Sequence, residues 1–101
     1  MLVENQKFVP GDIINMKLIS GDEICGQVVS CNNMVYELRK PCIVVTSPDG
    51  IGLIQAMFGL DGDRETLTYR TQHVITTCYT HTKMRDHYIM VTSDDEESVQ
   101  Q

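Results

Sequence analysis

The sequence predicts a mainly β domain: a small barrel or strongly bent antiparallel sheet, followed by one short C-terminal helix. Between residues 12 and 80, short segments carry apolar side chains at alternate positions, the pattern of half-buried strands. Turn-forming residues separate these segments about every 8–12 residues, a spacing typical of small all-β folds. After residue 80 the apolar period becomes that of a helix. The chain of 101 residues has the size of one domain, which we assign to residues 1–93.

The first two predicted strands, 12–19 and 23–31, are joined by a tight turn around Gly21. In the first strand, isoleucine, methionine and leucine alternate with other residues, which predicts one buried face. Gly26 lies inside the second strand. A glycine at such a position indicates a bend, a bulge or a close approach of another backbone segment.

The third strand is predicted to begin after a two-residue turn at Asn32 and Asn33, because asparagine tolerates positive φ. It covers 34–38 and resumes over 42–46. Between these parts, Arg39-Lys40-Pro41 is expected to break the strand as an exposed loop, since proline has no N–H for the ladder.

A turn containing Pro48 leads into the fourth predicted strand, 51–58. A polar loop at 59–65 comes next. Two further runs, 66–70 and 73–80, are rich in threonine and β-branched residues and are read as strands.

Met84, Tyr88 and Val91 recur at helical spacing and predict a short helix over 83–91. Thr80 or Thr82 is available as its N-cap. We expect the apolar stripe of this helix to pack on the sheet, and the alternative is a helix that binds a partner.

The net charge of −6 is concentrated at the C-terminus, because four of the 14 acidic residues occupy 94–97. Residues 1–93 contain 8 basic and 10 acidic side chains, a net charge of −2. Residues 94–101 are expected to form a disordered acidic tail. This charge argues against strong non-specific nucleic-acid binding, yet it permits a local basic site, because screening acts over about 8–10 Å.

Composition and spacing give no indication of an enzyme, a metal site or a cofactor. Cys25, Cys31, Cys42 and Cys78 have no CxxC spacing and are expected to be buried, reduced thiols. No serine, histidine and carboxylate pattern predicts a nucleophile, and no glycine-rich phosphate loop is present. No apolar run approaches the roughly 18–20 residues of a membrane span, and the N-terminus lacks a signal-peptide pattern. We therefore expect a cytoplasmic, non-enzymatic protein.

Two segments resemble the motifs of the Sm-like (LSm) superfamily. Residues 18–28 contain an apolar strand, a glycine turn at Gly21 and a second glycine at Gly26, followed two positions later by an apolar residue. Residues 69–74, Tyr-Arg-Thr-Gln-His-Val, are similar to the second Sm motif, usually Ile-Arg-Gly-Asn-x-Ile. Over about 12–91 the chain resembles the short Sm-like proteins of marine cyanobacterial tailed phages, which would place it in the host cytoplasm.

Three features depart from the family pattern. No clear helix precedes the first strand. The family's Asp-x-x-Met-Asn segment is one residue shorter, so Val35 stands where a base-contacting asparagine would be. Thr71 replaces the glycine after Arg70. These departures concern the nucleotide pocket more than the fold.

The resemblance implies a five-stranded Sm-like barrel of the SH3 type. Its subunits would join edge to edge, fourth strand to fifth, in a homo-oligomeric ring of about five to seven copies. Such a ring would bind single-stranded RNA, or less favourably DNA, during RNA or DNA processing. An amide can bond a base edge, and an arginine can stack on a base or bind phosphate. The candidate nucleic-acid-binding residues are Asn32, Asn33, Arg70, Gln72 and His73.

Alternatives remain open for each of these residues and for the module. Asn32 and Asn33 can be a turn pair only, and Arg70 a solvated strand residue. Lys17, Arg39 and Lys40 can form a basic face, or Lys40 and Pro41 can be simply an exposed loop. The whole module can instead have kept the ring, lost the nucleotide pocket and become a protein-interaction or assembly module with a protein partner.

Overall fold

The structure is a computed structural model and describes residues 8–57 and 65–93. Within these residues the chain forms six strands, one 3-10 turn and one helix. The elements are β1 (Ile13–Leu18), β2 (Glu23–Cys31), β3 (Val35–Ser47), β4 (Gly50–Gln55), β5 (Thr66–Arg70), the 3-10 turn (Thr71–His73), β6 (Val74–Tyr79) and α1 (Thr82–Thr92). The predicted tail, 94–101, and most of the predicted polar loop lie outside the described residues.

The strands form one antiparallel sheet with the order β4-β3-β2-β1-β6, and β5 pairs with β3 beside this path. The predicted mainly β fold with a C-terminal helix is therefore confirmed. The six runs read as strands in the sequence are all strands of the structure, whereas the five strands that the resemblance implies are not observed. The reason is that β4 and β5 are separate strands, which pair with residues 42–47 and 35–39 of β3. In the described part of the chain, the paired path ends at β4 and β6 and does not close into a barrel.

The expected loop at Lys40 and Pro41 is wrong, because β3 runs through these residues as a kinked strand. Lys40 has a φ of +46°, and Pro41 is buried. On β2, the pairing register with β3 shifts beside Gly26. A Cβ atom at Gly26 would lie 3.1 Å from the Leu38 Cβ and 3.4 Å from the Pro41 Cα. Gly26 therefore permits the close backbone approach that its position in the sequence indicates.

Two apolar clusters form on opposite faces of this sheet, because adjacent strand residues such as Ile13 and Ile14 point in opposite directions. The inner cluster contains Ile14, Met16, Ile24, Val28 and Leu38. The helix-side cluster contains Ile13, Cys25, Cys42 and Tyr88. The second cluster exists because α1 covers the face of the sheet that the first cluster does not use.

Tyr88 anchors α1 to the kink in β3. Its hydroxyl donates to the Arg39 carbonyl oxygen and accepts from the Gln27 N–H at 3.2 Å. Burial raises the pKa of this hydroxyl well above its usual range. The prediction that the stripe on this helix packs on the sheet is confirmed for Tyr88 and Met84.

The N-cap of α1 is His81 rather than either predicted threonine. The His81 Nδ1 accepts from the Lys83 N–H at 3.1 Å. Thr80 is buried instead, and its hydroxyl donates to the Asn15 Oδ1 at 2.5 Å. The Thr80 hydroxyl is therefore bonded to β1, and the next residue, His81, provides the N-cap of the helix.

All four cysteines are free thiols, as expected, but they differ in burial. Cys25 and Cys42 are buried, Cys31 is half-buried, and Cys78 is exposed. The expectation of burial is wrong for Cys78, because it lies on β6 at the end of the sheet. In the described residues, no helix is long and apolar enough to cross a bilayer.

Candidate nucleic-acid interface at a junction of two loops

The loop between β2 and β3 contacts the 3-10 turn between β5 and β6. The Thr71 N–H donates to the Met34 carbonyl oxygen at 2.9 Å. The Thr71 hydroxyl donates to the Asn33 carbonyl oxygen at 2.7 Å. We name residues 32–34 and 70–73 the loop junction. The structure thus brings together the two segments that carry all five predicted nucleic-acid-binding residues.

Asn32 builds the first loop from within. Its Oδ1 accepts from the Met34 N–H at 2.7 Å and from the Val35 N–H at 3.0 Å. The tip of the turn is consequently Asn33 and Met34, not the predicted Asn32 and Asn33. Positive φ is not used here, since Lys40 is the one non-glycine residue with positive φ in the described part of the chain. The amide nitrogen of Asn32 is left as its donor toward a ligand.

Arg70 ends β5 with an exposed side chain, and its backbone pairs with Val35 across the β3–β5 ladder. Among the residues that the structure describes, no carboxylate lies within ion-pair distance of its guanidinium. Gln72 and His73 are exposed in the 3-10 turn. The junction therefore presents one cation, one amide and one imidazole to solvent beside the asparagines.

Two exposed apolar side chains, not predicted as site residues, flank these polar groups. Met34 is 67% exposed at the tip of the first loop. Ile19 is 63% exposed in the turn between β1 and β2, where its N–H donates to the His73 carbonyl oxygen at 2.9 Å. Met34 directly follows the asparagine pair. Because the sequence pattern placed it at the start of a strand, it was not predicted as a site residue. An exposed apolar side chain beside an arginine is suited to contact the face of a base.

Thr71, which stands where the second Sm motif has a glycine, has a structural role that the motif comparison did not indicate. A glycine at this position would keep the N–H bond to Met34 and lose the hydroxyl bond to Asn33. The β-hydroxyl therefore provides a second connection between the loops.

The proposed basic face of Lys17, Arg39 and Lys40 is not assembled. The Arg39 Nε lies 3.3 Å from the Glu65 Oε1. The Lys40 Nζ donates to the Thr92 carbonyl oxygen at 2.6 Å and lies 4.0 Å from the Glu65 Oε2. These two cations therefore neutralise a carboxylate and the C-terminus of α1, which leaves Lys17 exposed by itself on β1.

The ends of the sheet expose apolar side chains. On β4, Ile51 is 62% and Ile54 is 44% exposed. On β6, Ile75 is 63% and Tyr79 is 57% exposed. Strands at the end of a sheet also present unpaired N–H and C=O groups, which can pair with another chain.

A scan against models of known protein families finds no match to this chain, and a search of curated proteins finds none either. Within the described residues, no three His, Cys, Asp or Glu side chains are placed to hold one metal ion.

Proposed function

We propose that this chain is a non-enzymatic, Sm-like subunit of a homo-oligomeric ring that binds single-stranded nucleic acid at the loop junction. RNA is favoured over DNA, and the ring acts in RNA or DNA processing. The observation that carries the proposal is the pair of bonds from Thr71, which holds the Asn33 loop against the segment that contains Arg70. Two sequence segments that resemble Sm motifs supply the expectation, and the junction supplies a surface with suitable chemistry.

The strand pairing supports the Sm-like part of the proposal. Both β4 and β5 pair with β3, and we take them as two parts of the fourth strand of the family. On this correspondence, β6 is the fifth strand and pairs with β1. The 3-10 turn joins β5, which pairs with β3, to β6, which pairs with β1.

The sheet ends support the ring. In the proposed assembly, the β4 and β5 side of one subunit meets β6 of the next, which covers Ile51 and Ile54 on one chain and Ile75 and Tyr79 on its neighbour. A head-to-tail contact of this kind closes when the rotation between copies fits. Closure pairs both open edges in every copy, so no strand edge is left to recruit further chains.

The junction chemistry supports an unpaired nucleotide as the ligand. The Arg70 guanidinium can stack on a base or form two hydrogen bonds with a phosphate. The amide nitrogen of Asn32 can donate to a base carbonyl, and Met34 can contact the base face. Each site is small and exposed, so affinity comes from several identical sites acting on one strand.

The proposal is tested by comparing Arg70→Ala with Arg85→Ala. Both substitutions remove one positive charge from an exposed position, but Arg85 lies on α1 and is outside the junction. We expect Arg70→Ala to weaken binding of oligo-U and oligo-A by roughly 1–2 kcal/mol per site, within the range for stacking on single strands. Fluorescence anisotropy titrations at low salt measure this. Equal affinities for the two variants would contradict the proposed site.

A second candidate function is protein interaction or assembly by a ring that has lost its nucleotide pocket. The observation in its favour is that the Oδ1 of Asn32 is occupied by two backbone N–H groups. In addition, the half-buried Val35 stands where the family has a base-contacting asparagine. This candidate predicts a ring that binds neither oligonucleotide even at low ionic strength.

A further inference from the structure

Cys25 and Cys42 are direct partners in the β2–β3 ladder. Both side chains belong to the helix-side cluster, so both lie on the same face of the sheet. Directly opposed residues in an antiparallel pair have Cα atoms roughly 4.5–5.5 Å apart. A disulfide accepts Cα separations of roughly 4.4–6.8 Å. The backbone therefore already has the spacing that a bond between these two sulfurs requires.

In the present structure each thiol interacts with a different partner. The Cys42 Sγ donates to the Lys40 carbonyl oxygen at 3.6 Å. The Cys25 Sγ lies 3.9 Å from the Thr80 Oγ1. Both cysteines are free thiols, so in this reduced state each sulfur contacts another group and is not bonded to the other sulfur.

Helix α1 covers the pair. Tyr88 packs in the same cluster and is 1% exposed. Its hydroxyl binds Gln27, two residues after Cys25, and Arg39, three residues before Cys42. The helix is thus fastened to both strands next to the two cysteines, and an oxidant reaches them only when α1 moves away.

We propose that Cys25 and Cys42 are a redox pair that α1 shields from oxidants. When the helix moves away from the sheet, a low-molecular-weight disulfide converts the two thiols into an intramolecular disulfide. Cys42 is the less buried of the two, at 6% exposed against 0% for Cys25, and in the proposed order its thiolate attacks first once α1 has moved away. This attack forms a mixed disulfide and releases one reagent thiolate. The Cys25 thiolate then attacks the Cys42 sulfur and displaces the second. The two protons from the cysteines finish on the two released reagent thiols, so the protein is oxidised and the reagent reduced.

The covered state protects the pair. Burial raises the pKa of both thiols, to about 12 for Cys25, and the thiolate is the reactive form. Exposure of the pair to solvent removes this penalty and the barrier to access together. The oxidation rate of the pair therefore reports how often α1 opens.

The experiment uses oxidised glutathione on the folded Cys31→Ser/Cys78→Ser chain, which keeps only the proposed pair. Non-reducing peptide mapping is expected to show a single intramolecular link between Cys25 and Cys42. Adding Tyr88→Phe deletes both hydroxyl bonds and should speed the link several-fold. Tyr36→Phe, at a half-buried tyrosine of β3 that packs on the inner cluster, should not change the rate.

Three results would overturn the proposal: glutathione retained on Cys42 without closure, links only between chains, or equal rates for the two tyrosine variants. Circular dichroism establishes that each variant is folded before oxidation. If Tyr88→Phe does not fold, Lys40→Met serves instead, because it deletes the bond from the Lys40 Nζ to the last turn of α1. An unchanged rate of disulfide formation in that variant would likewise contradict the proposed shielding by α1.

Discussion

The kink of β3 beneath α1 and the loop junction both join distant parts of the chain, but they use opposite means. At the kink, a buried tyrosine from α1 bonds two strands, and Gly26 gives room for the approach of Pro41. At the junction, one threonine bonds two loops while Arg70, Gln72 and His73 remain exposed. The difference indicates that the kink determines stability and that the junction is available for a ligand.

Tyr88→Ala should destabilise the folded chain more strongly than a substitution at the loop junction. The substitution empties the helix-side cluster and leaves the Gln27 N–H and the Arg39 carbonyl oxygen without their partner. We expect the free energy of unfolding to fall by about 3–5 kcal/mol. Urea denaturation measures it, with Ile89→Ala as the control, since Ile89 is 41% exposed on the same helix and should cost about 1 kcal/mol or less. Equal losses in the two variants would mean that the kink does not depend on the tyrosine.

Alkaline pH should weaken the buried region next. In the folded chain, burial raises the pKa of Cys25 from 9.0 to about 12 and that of Tyr69 from 10.0 to about 12. Above about pH 9 the unfolded chain therefore loses protons that the folded chain retains, and stability falls as pH rises through this window. For Cys25 the slope is up to about 1.4 kcal/mol per pH unit.

Urea denaturation at several pH values between about 9 and 11 measures this slope. We expect Cys25→Ala to flatten it and Cys78→Ala, at an exposed thiol, to leave it unchanged. A slope that Cys25→Ala does not alter would show that this thiol does not couple to folding.

Thr71→Val tests the junction with a smaller effect. Valine keeps the shape of threonine and removes the donor to the Asn33 carbonyl oxygen, so stability should fall by about 0.5–1.5 kcal/mol. Oligonucleotide binding should weaken as well, although Arg70 itself is unchanged, because the two loops lose one of their connections. The control is Thr46→Val, at an exposed threonine of β3, a strand that is paired on both sides and lies outside the proposed subunit contact. If the anisotropy curves of these two variants overlay, the bond from the Thr71 hydroxyl does not contribute to oligonucleotide binding.

Local sequence patterns predicted most of the strands. The predicted strand 23–31 coincides with β2, and 12–19 contains β1 with one extra residue at each end. The turn at Pro48 also lies where it was predicted, between β3 and β4. These elements depend on alternation and on turn residues, which are both visible within a few positions.

The kink could not be predicted from local pattern. Lys40 and Pro41 carry a strong signal to end a strand, yet β3 continues through them, and Tyr88, far along the chain, bonds the Arg39 carbonyl oxygen at the kink. At the junction, the resemblance to the Sm motifs pointed to the candidate residues. The same resemblance marked Thr71 only as a departure from the motif and did not indicate its bond to Asn33. In each place a contact between distant residues decides what the local sequence leaves open.

Native mass spectrometry of the full chain at high micromolar concentration, with and without a short oligo-U, tests the proposed ring and its proposed ligand together. Assembly and ligand binding are observed in one spectrum. We expect one closed ring of identical subunits, and the same ring shifted by the mass of bound oligonucleotide. A monomer that takes no oligonucleotide would contradict both the proposed edge-to-edge assembly and the proposed interface.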